Sequence, residues 1–163
     1  MKKTFGTIFI TLLLLAVVSG AAFAASTANK KEVSFNGTLQ AVENDQRNLP
    51  SIYLHGDGTG NATNLGQFTV HFEGIVHQAN GVGTAVEAEH LTMSNGDIIF
   101  AVGTGLGAPS TTPGVNRLEE KFTITGGTGQ FENASGEYSV IRLITLATGV
   151  STGTIDGEVE LSK

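Results

Sequence analysis

The chain contains a glycine-rich segment, GGTGQFENASG at 126–136, between two runs that alternate apolar and polar residues. The runs cover 117–126 and 136–147, and a third alternating run follows at 152–161. Successive side chains of a β-strand point to opposite faces, so each run predicts a strand with one face in a core. Glycines within and between the runs permit the bends of a strongly curved sheet. This part of the chain therefore predicts three antiparallel strands.

The same alternation extends over the preceding residues from Val33, and no helical period is visible there. We expect a polar connection at 43–50 and a long connection at 107–116, a length that often covers a binding site. Short links and eight strands predict an all-β fold, a closed antiparallel eight-stranded barrel; an open two-sheet sandwich is the alternative. The other five strands are expected at 33–42, 51–62, 65–78, 82–93 and 97–106.

Glycines in the second expected strand indicate how it pairs with the third. A three-residue connection at 63–65 would place Gly56, Gly58 and Gly60 opposite bulky residues of the next strand. The interior of a narrow barrel is filled by side chains of alternating size, so this register suits an inner wall. The expected pairs are Gly56 with Phe72, Gly58 with Val70 and Gly60 with Phe68.

The first residues have the pattern of a secretory signal peptide. Residues 1–3 are basic at positions 2 and 3, residues 8–18 are apolar, and Ala22-Phe23-Ala24 has small residues where a signal peptidase cleaves. These features look bacterial and predict a secreted or periplasmic protein. We expect a signal peptide at 1–24, a flexible leader at 25–32 and a single barrel domain at 33–163.

Charge and composition exclude several classes of function. Without Lys2 and Lys3 the chain has 7 basic against 15 acidic residues, a net charge of −8. An acidic surface repels phosphate backbones and anionic lipid, so we expect no nucleic-acid partner and no membrane partner after signal cleavage. The chain has no cysteine, which excludes thiol catalysis and disulfides. No cofactor-binding motif is present, and we expect no cofactor.

The segment at 126–136 resembles the G-G-T-G-x-F-x-x-A-x-G corner of dirigent proteins and allene-oxide-cyclase-like barrels. Its glycines permit backbone angles closed to other residues. We expect Phe131 to plug one barrel end, with the small Ala134 beneath it. The resemblance implies a closed barrel of the calycin or allene-oxide-cyclase type with a mostly apolar interior. It also implies binding or cyclisation of a small lipophilic molecule.

Glu120 and Arg142 are the candidate catalytic residues. A hairpin with Gly126 opposite Gly136 would place Glu120 directly opposite Arg142 on the face of Phe122 and Val140. An interior charge pair near a barrel mouth suits the orientation of a polar head group. The alternatives are a rim salt bridge with little effect on stability and an ion pair whose two members only satisfy each other. Apolar residues of the same inner wall are the candidate ligand-lining residues: Leu54, Phe68, Val70, Phe72, Phe122, Ile124, Tyr138 and Val140.

A histidine and carboxylate patch is a candidate metal site. The expected register pairs Asp57 with His71 and His55 with Glu73, near His77, on the wall opposite the aromatic residues. Imidazole and carboxylate groups are zinc ligands, but their spacing here matches no metal motif. A solvated outer face with cross-strand charge pairs is the alternative, so we expect no metal.

Three functions are compatible with these features. The leading one is an exported barrel, as a monomer or a dimer, that binds a small apolar molecule in its interior. The second is an isomerase or cyclase of the allene-oxide-cyclase or dirigent type, with Glu120 and Arg142 in the cavity. The third is a structural barrel with a filled interior. Small-molecule pockets usually begin at about 300 Å³, so a filled interior without a pocket of about that volume would argue against ligand binding and for the third function.

Overall fold

A computed structural model describes residues 30–48 and 50–162. The expected signal peptide lies outside the described residues. Within these ranges the chain forms eight strands and one three-residue 3-10 turn, Gly129–Phe131, and no helix there is long and apolar enough to cross a bilayer. The strands are β1 (Lys31–Asn48), β2 (Ser51–Ala62), β3 (Gly66–Ala79), β4 (Val82–Met93), β5 (Ile98–Pro109), β6 (Val115–Gly127), β7 (Ser135–Thr145) and β8 (Val150–Leu161).

The strands form one closed barrel. Each strand pairs antiparallel with the next in sequence, and β8 pairs antiparallel with β1. Closure leaves no unpaired sheet edge, which is how a single curved sheet satisfies all its backbone groups. The prediction of an all-β, closed, eight-stranded antiparallel barrel is confirmed, and the two-sheet sandwich is wrong.

The connections divide between two ends of the barrel. The corner end carries the connections at 63–65, 94–97 and 128–134. The opposite end, called the cavity end below, carries the connections at 49–50, 80–81, 110–114 and 146–149. Alternate side chains of every strand point into the barrel interior. The inward residues near the corner end and those near the cavity end can therefore differ in polarity and charge.

The expected pairing of β2 with β3 is confirmed. Gly56 lies opposite Phe72, Gly58 opposite Val70 and Gly60 opposite Phe68. A β-carbon on Gly56 would overlap the Phe72 ring, so a larger residue there cannot be accommodated without a shift. These glycines therefore make the interior narrow and give the aromatic rings their space.

The corner closes its end of the barrel as its sequence indicates. Gly126 and Gly129 have φ angles of 142° and 59°, which favour glycine. Phe131 is 2% exposed and packs in the core, and Ala134 is buried with it. The interpretation of Phe131 as an end plug is consistent with this placement.

The pairing of β6 with β7 differs from the expected register by two residues. Gly136 pairs with Ile124 instead of Gly126, and on the other side of β6 the register against β5 shifts at a bulge between Phe100, which pairs with Gly126, and Ala101, which pairs with Ile124. The corner is therefore wider than a simple hairpin.

Two expected connections are largely strand. Residues 43–48 continue β1, where Glu43 pairs with Gly56 and Asp45 with Leu54, and the link between β5 and β6 is only 110–114. Polar residues conceal these strand extensions in the sequence, since backbone pairing with a neighbouring strand does not depend on side-chain polarity. The expected long loop over a barrel mouth is thus wrong, and Glu43 faces the interior.

Candidate functional site

An interior cavity of about 110 Å³ lies at the cavity end. Its most deeply placed polar residues are Glu43 from β1, Glu87 from β4, Glu120 from β6 and Arg142 from β7, and the lining also includes Asp45, Gln78 and Asn116 nearer the strand ends. The side chains of Glu43, Glu87, Glu120 and Arg142 meet here because each occupies an inward position of its strand. The apolar lining and rim are formed by Ile52, Leu54, Val76, Leu118, Ile144 and Leu146. The cavity therefore has a charged floor and a mainly apolar entrance that also carries Asp45, Gln78 and Asn116.

Arg142 is held between two carboxylates. Its Nε donates to Glu120 Oε2 at 2.9 Å, its Nη2 donates to Glu120 Oε1, and its Nη1 donates to Glu43 Oε1 at 2.7 Å and to Ser151 Oγ at 3.2 Å. The guanidinium also lies 4.8 Å from the centre of the Phe72 ring. Burial opposes its charge, but Glu120 and Glu43 outweigh that effect and raise the pKa of Arg142. Neighbouring side chains therefore take up the hydrogen bonds of Arg142 and hold its guanidinium cation in place.

The pairing of Glu120 with Arg142 is diagonal. Glu120 lies opposite Val140, and Arg142 lies opposite Leu118. The expectation of direct opposition is wrong, because the corner shifts the register by two residues. A shift of two preserves the face of every side chain. The two residues therefore meet in the interior, each 4% exposed, with good geometry for an ion pair.

Glu87 is buried beside this ion pair but takes no part in it. Its side chain points into the interior from β4 and is 5% exposed. Its Oε2 atom is buried and has no hydrogen-bond partner among the described residues. Burial, and then the negative charge of Glu120, raise the pKa of Glu87 to about 8. Glu87 is therefore mostly a neutral carboxylic acid at neutral pH, with an unused hydrogen-bonding atom beside the cavity.

Glu89 lies two residues further along the same inner wall, on the side of the corner end. It accepts a hydrogen bond of 2.7 Å from the Tyr138 hydroxyl, and burial raises its pKa to about 7. Burial and the nearby Glu89 raise the pKa of Tyr138, whose ring stacks on Phe122 at 5.0 Å. Tyr138 therefore stays a donor, and Glu89, unlike Glu87, has a partner.

The site contains more carboxyl groups than cations. Glu43, Glu87, Glu89 and Glu120 are all buried around Arg142, and burial also raises the pKa of Glu43. Several uncompensated negative charges in a low-dielectric interior are too costly to coexist. Protonation of Glu87, and in part of Glu89, is how the folded barrel avoids that cost.

Sequence reasoning missed Glu43, Glu87 and Glu89. Glu43 was assigned to a polar connection, while Glu87 and Glu89 belong to a strand with mixed residues on both faces. The turn at Asn80-Gly81, where both residues have positive φ, provides a signal for Glu87 and Glu89. A two-residue turn there sets the register of β3 against β4 and places Glu89 opposite the inward Phe72.

The candidate ligand-lining residues are all in the interior, but most of them fill it. Leu54 lines the cavity, and all eight are members of one packed cluster with exposures of 6% or less. Their main effect is to fill the barrel between the corner end and the charged floor. The cluster members concerned are Leu54, Phe68, Val70, Phe72, Phe122, Ile124, Tyr138 and Val140.

The candidate metal ligands lie on the outer wall. Asp57 pairs with His71 and His55 with Glu73, as expected. His71 Nδ1 lies 2.8 Å from Asp57 Oδ1, and Glu73 accepts a hydrogen bond of 3.0 Å from the Tyr53 hydroxyl. In the described part of the chain no group of three or more histidine or acidic side chains is arranged to hold a metal ion. Asp57, His71 and Glu73 are exposed and form a solvated face with cross-strand pairs, whereas His55 is half-buried and its Nδ1 has no hydrogen-bond partner among the described residues.

Comparisons with known proteins show a similarity in fold. No family model matches the chain, and no curated protein matches it. Among solved structures, the pterocarpan synthase dirigent protein GePTS1 superposes with a TM-score of 0.61 and 14% identity, covering 92% of this chain and 100% of that one. The pterocarpan synthase dirigent protein PsPTS1 superposes with a TM-score of 0.56 and 14% identity, covering 82% and 97%. The chain therefore has the closed eight-stranded barrel fold of the dirigent proteins, as its corner sequence suggests.

Proposed function

We propose that the protein binds a small, largely apolar molecule at the cavity end, with a hydrogen-bond-accepting oxygen of the ligand directed at Glu87. The single observation that carries this proposal is the unpartnered Oε2 atom of Glu87 at a buried position next to the cavity. Leaving a buried polar atom unpaired costs about 1–3 kcal/mol, and a ligand that accepts a hydrogen bond from the Glu87 carboxylic acid removes that cost.

The cavity limits how much of the ligand enters. Its volume of about 110 Å³ is below the usual range for a whole small-molecule site, which begins at about 300 Å³. An engineered apolar cavity of about 150 Å³ in another protein admits benzene, so a ring-sized group sets the scale. We infer that only the polar end of the ligand occupies the cavity, while its apolar remainder lies against Ile52, Val76 and Leu146 at the mouth.

By volume alone the cavity of about 110 Å³ favours a structural barrel with a filled interior, but that function does not account for the acidic residues of the floor. Packed aromatic and aliphatic side chains between the corner end and the charged floor need no ligand, and they stabilise the fold by themselves. The floor differs, because Glu87 and Glu89 are acids at positions where apolar residues of similar size would be cheaper. A ligand gives Glu87 Oε2 the partner that residues 30–48 and 50–162 do not provide.

A fragment screen by NMR tests the proposal. Small ketones, esters and cyclic ethers are titrated into the isotope-labelled protein, and we expect shifts confined to cavity residues. Glu87→Gln keeps a hydrogen-bond donor and should retain binding, whereas Glu87→Leu should lose it. Glu132→Gln, an exposed carboxyl change at the corner, is the matched control. Equal affinities for Glu87→Leu and Glu132→Gln would contradict the proposal.

The second candidate is an isomerase or cyclase that uses Glu87 as a general acid. The observation in its favour is the pKa of about 8 at an unpartnered carboxyl, since an effective acid catalyst titrates near the working pH. Glu87 would give its proton to an oxygen of the ligand and recover a proton from a neighbouring carbon of the same ligand, so no other reactant is needed. Arg142 and Glu120 would act on Glu87 through their charges rather than contact the ligand.

Binding and catalysis separate in one comparison. A ligand that is recovered unchanged after incubation with the protein speaks for binding alone. If the protein is an isomerase or cyclase, mass spectrometry coupled to chromatography detects an isomer of equal mass, and Glu87→Gln abolishes its formation while binding persists. Persistent turnover by Glu87→Gln would exclude Glu87 as the acid.

A further inference from the structure

A second surface, on the outer wall of five neighbouring strands, carries uncharged polar side chains, and its lining also includes the buried Leu39, Phe68 and Met93. It covers β8, β1, β2, β3 and β4 and forms one shallow groove. The strand registers align its side chains in two rows that cross the strands. One row is Thr152, Gln40, Thr59, Thr69 and Thr92, and the other is Thr154, Thr38, Asn61 and Gln67. We call these two rows the hydroxyl–amide face.

The hydrogen-bonding groups of this face are free. All of its side chains are exposed except Thr92, which is half-buried. Within residues 30–48 and 50–162, the structure gives none of them a side-chain hydrogen bond to another residue. Each hydroxyl and amide both donates and accepts hydrogen bonds, so the two rows present an array of both functions to the exterior.

The chemistry of the face selects one class of ligand. It carries no charged side chain, although the chain as a whole has a net charge of −6. Ions and nucleic acids require charge that is missing here. The core of a protein interface is enriched in aromatic and apolar residues, and outward residues of that kind are also missing from these rows. A neutral polyhydroxylated chain matches the array of donors and acceptors.

We propose that the hydroxyl–amide face binds a neutral polysaccharide. Five strands at about 4.8 Å spacing span roughly 19 Å, and alternate residues along a strand lie about 6.7 Å apart. The two rows therefore present a strip that accommodates several consecutive sugar rings. The strip has no aromatic ring for stacking, so single oligosaccharides bind modestly, and long polymers gain retention through repeated contacts.

Affinity gel electrophoresis tests this proposal with soluble glucan, mannan, galactan and xylan cast separately into native gels. We expect at least one polymer to retard the wild-type protein. Thr59→Val/Thr69→Val removes two hydroxyls from the centre of one row and keeps side-chain shape, so retardation should weaken by about tenfold or more. Thr104→Val/Thr123→Val, on exposed outward positions of β5 and β6, is the control and should match the wild type.

Three outcomes would overturn the proposal. One is the absence of retardation by every polymer, and another is equal retardation of wild type and Thr59→Val/Thr69→Val. The third is self-association that this variant abolishes while no polymer retards the protein, which would assign the face to a second copy of the chain. The face shares no residue with the cavity. Glu87→Gln should therefore leave polymer retention unchanged, whatever its effect on the cavity ligand.

Discussion

Replacing Glu87 with glutamine should remove a large part of the pH dependence of stability. The pKa of Glu87 is about 8 in the folded barrel, mainly because of burial, against 4.5 as its ordinary value. Between these two values the folded state binds a proton that the unfolded chain has released. The free energy of unfolding therefore falls as pH rises from about 4.5, and this loss is complete above pH 8. Glutamine has no proton to lose.

The size of the effect follows from the same two values. A difference of one pKa unit corresponds to about 1.4 kcal/mol, so the Glu87 contribution lost between pH 5 and pH 9 is about 4 kcal/mol. Glu89, with a pKa of about 7, adds a loss of the same sign that is nearly complete by pH 8. The plot of unfolding free energy against pH should therefore be flatter for Glu87→Gln than for the wild type, but not level. It should be flatter still for Glu87→Gln/Glu89→Gln.

Urea unfolding at pH 5, 7 and 9 measures this prediction. We expect Glu87→Gln to be more stable than the wild type at pH 9 and close to it at pH 5. The exposed change Glu132→Gln controls for loss of one carboxyl group and should follow the wild-type curve. Parallel curves for wild type and Glu87→Gln from pH 5 to pH 9 would refute the claim that Glu87 is a buried neutral acid.

Three further changes test the packing around the site by urea unfolding. Arg142→Met should destabilise the barrel by about 3–5 kcal/mol because two buried carboxylates lose their cation. The double change Arg142→Met/Glu120→Gln should recover part of the lost unfolding free energy. No recovery would mean that the pair acts only through packing. Gly56→Val should cost about 1–3 kcal/mol or more through overlap with Phe72, whereas an unchanged midpoint would contradict the close approach. Phe131→Ala should cost about 3–5 kcal/mol if the ring plugs the corner end, and a loss below 1 kcal/mol, marking a replaceable loop residue, would argue against it.

The sequence predicted the architecture well because the barrel depends on local rules. Alternation identifies the inward positions, and glycines opposite Phe68 and Phe72 set one register. Even where the register of β6 against β7 was wrong, the shift was two residues, so Glu120 and Arg142 stayed on the inner wall. Side-chain direction has a period of two, and it survives such an error.

The acidic floor was harder to predict because its residues have the polarity of surface residues. Glu43 stands in the segment ENDQRN, which resembles a loop, and only its pairing with Gly56 of β2 and its backbone hydrogen bond to Gly149 turn it inward. Glu87 and Glu89 alternate with small and apolar residues, so polarity alone assigns them to the exterior. Their burial depends on Phe72 and Arg142 from other strands, and these contacts arise only when the barrel closes.

The most direct test of the central claim is a carboxyl carbon-13 NMR titration of Glu87, with and without a bound ketone fragment. We expect Glu87 to titrate near pH 8 in the free protein. A fragment that accepts a hydrogen bond from the neutral acid stabilises the protonated form, so the pKa should rise further when it binds. A Glu87 carboxyl that titrates near 4.5, or one whose pKa is unaffected by a fragment bound in the cavity, would contradict the account.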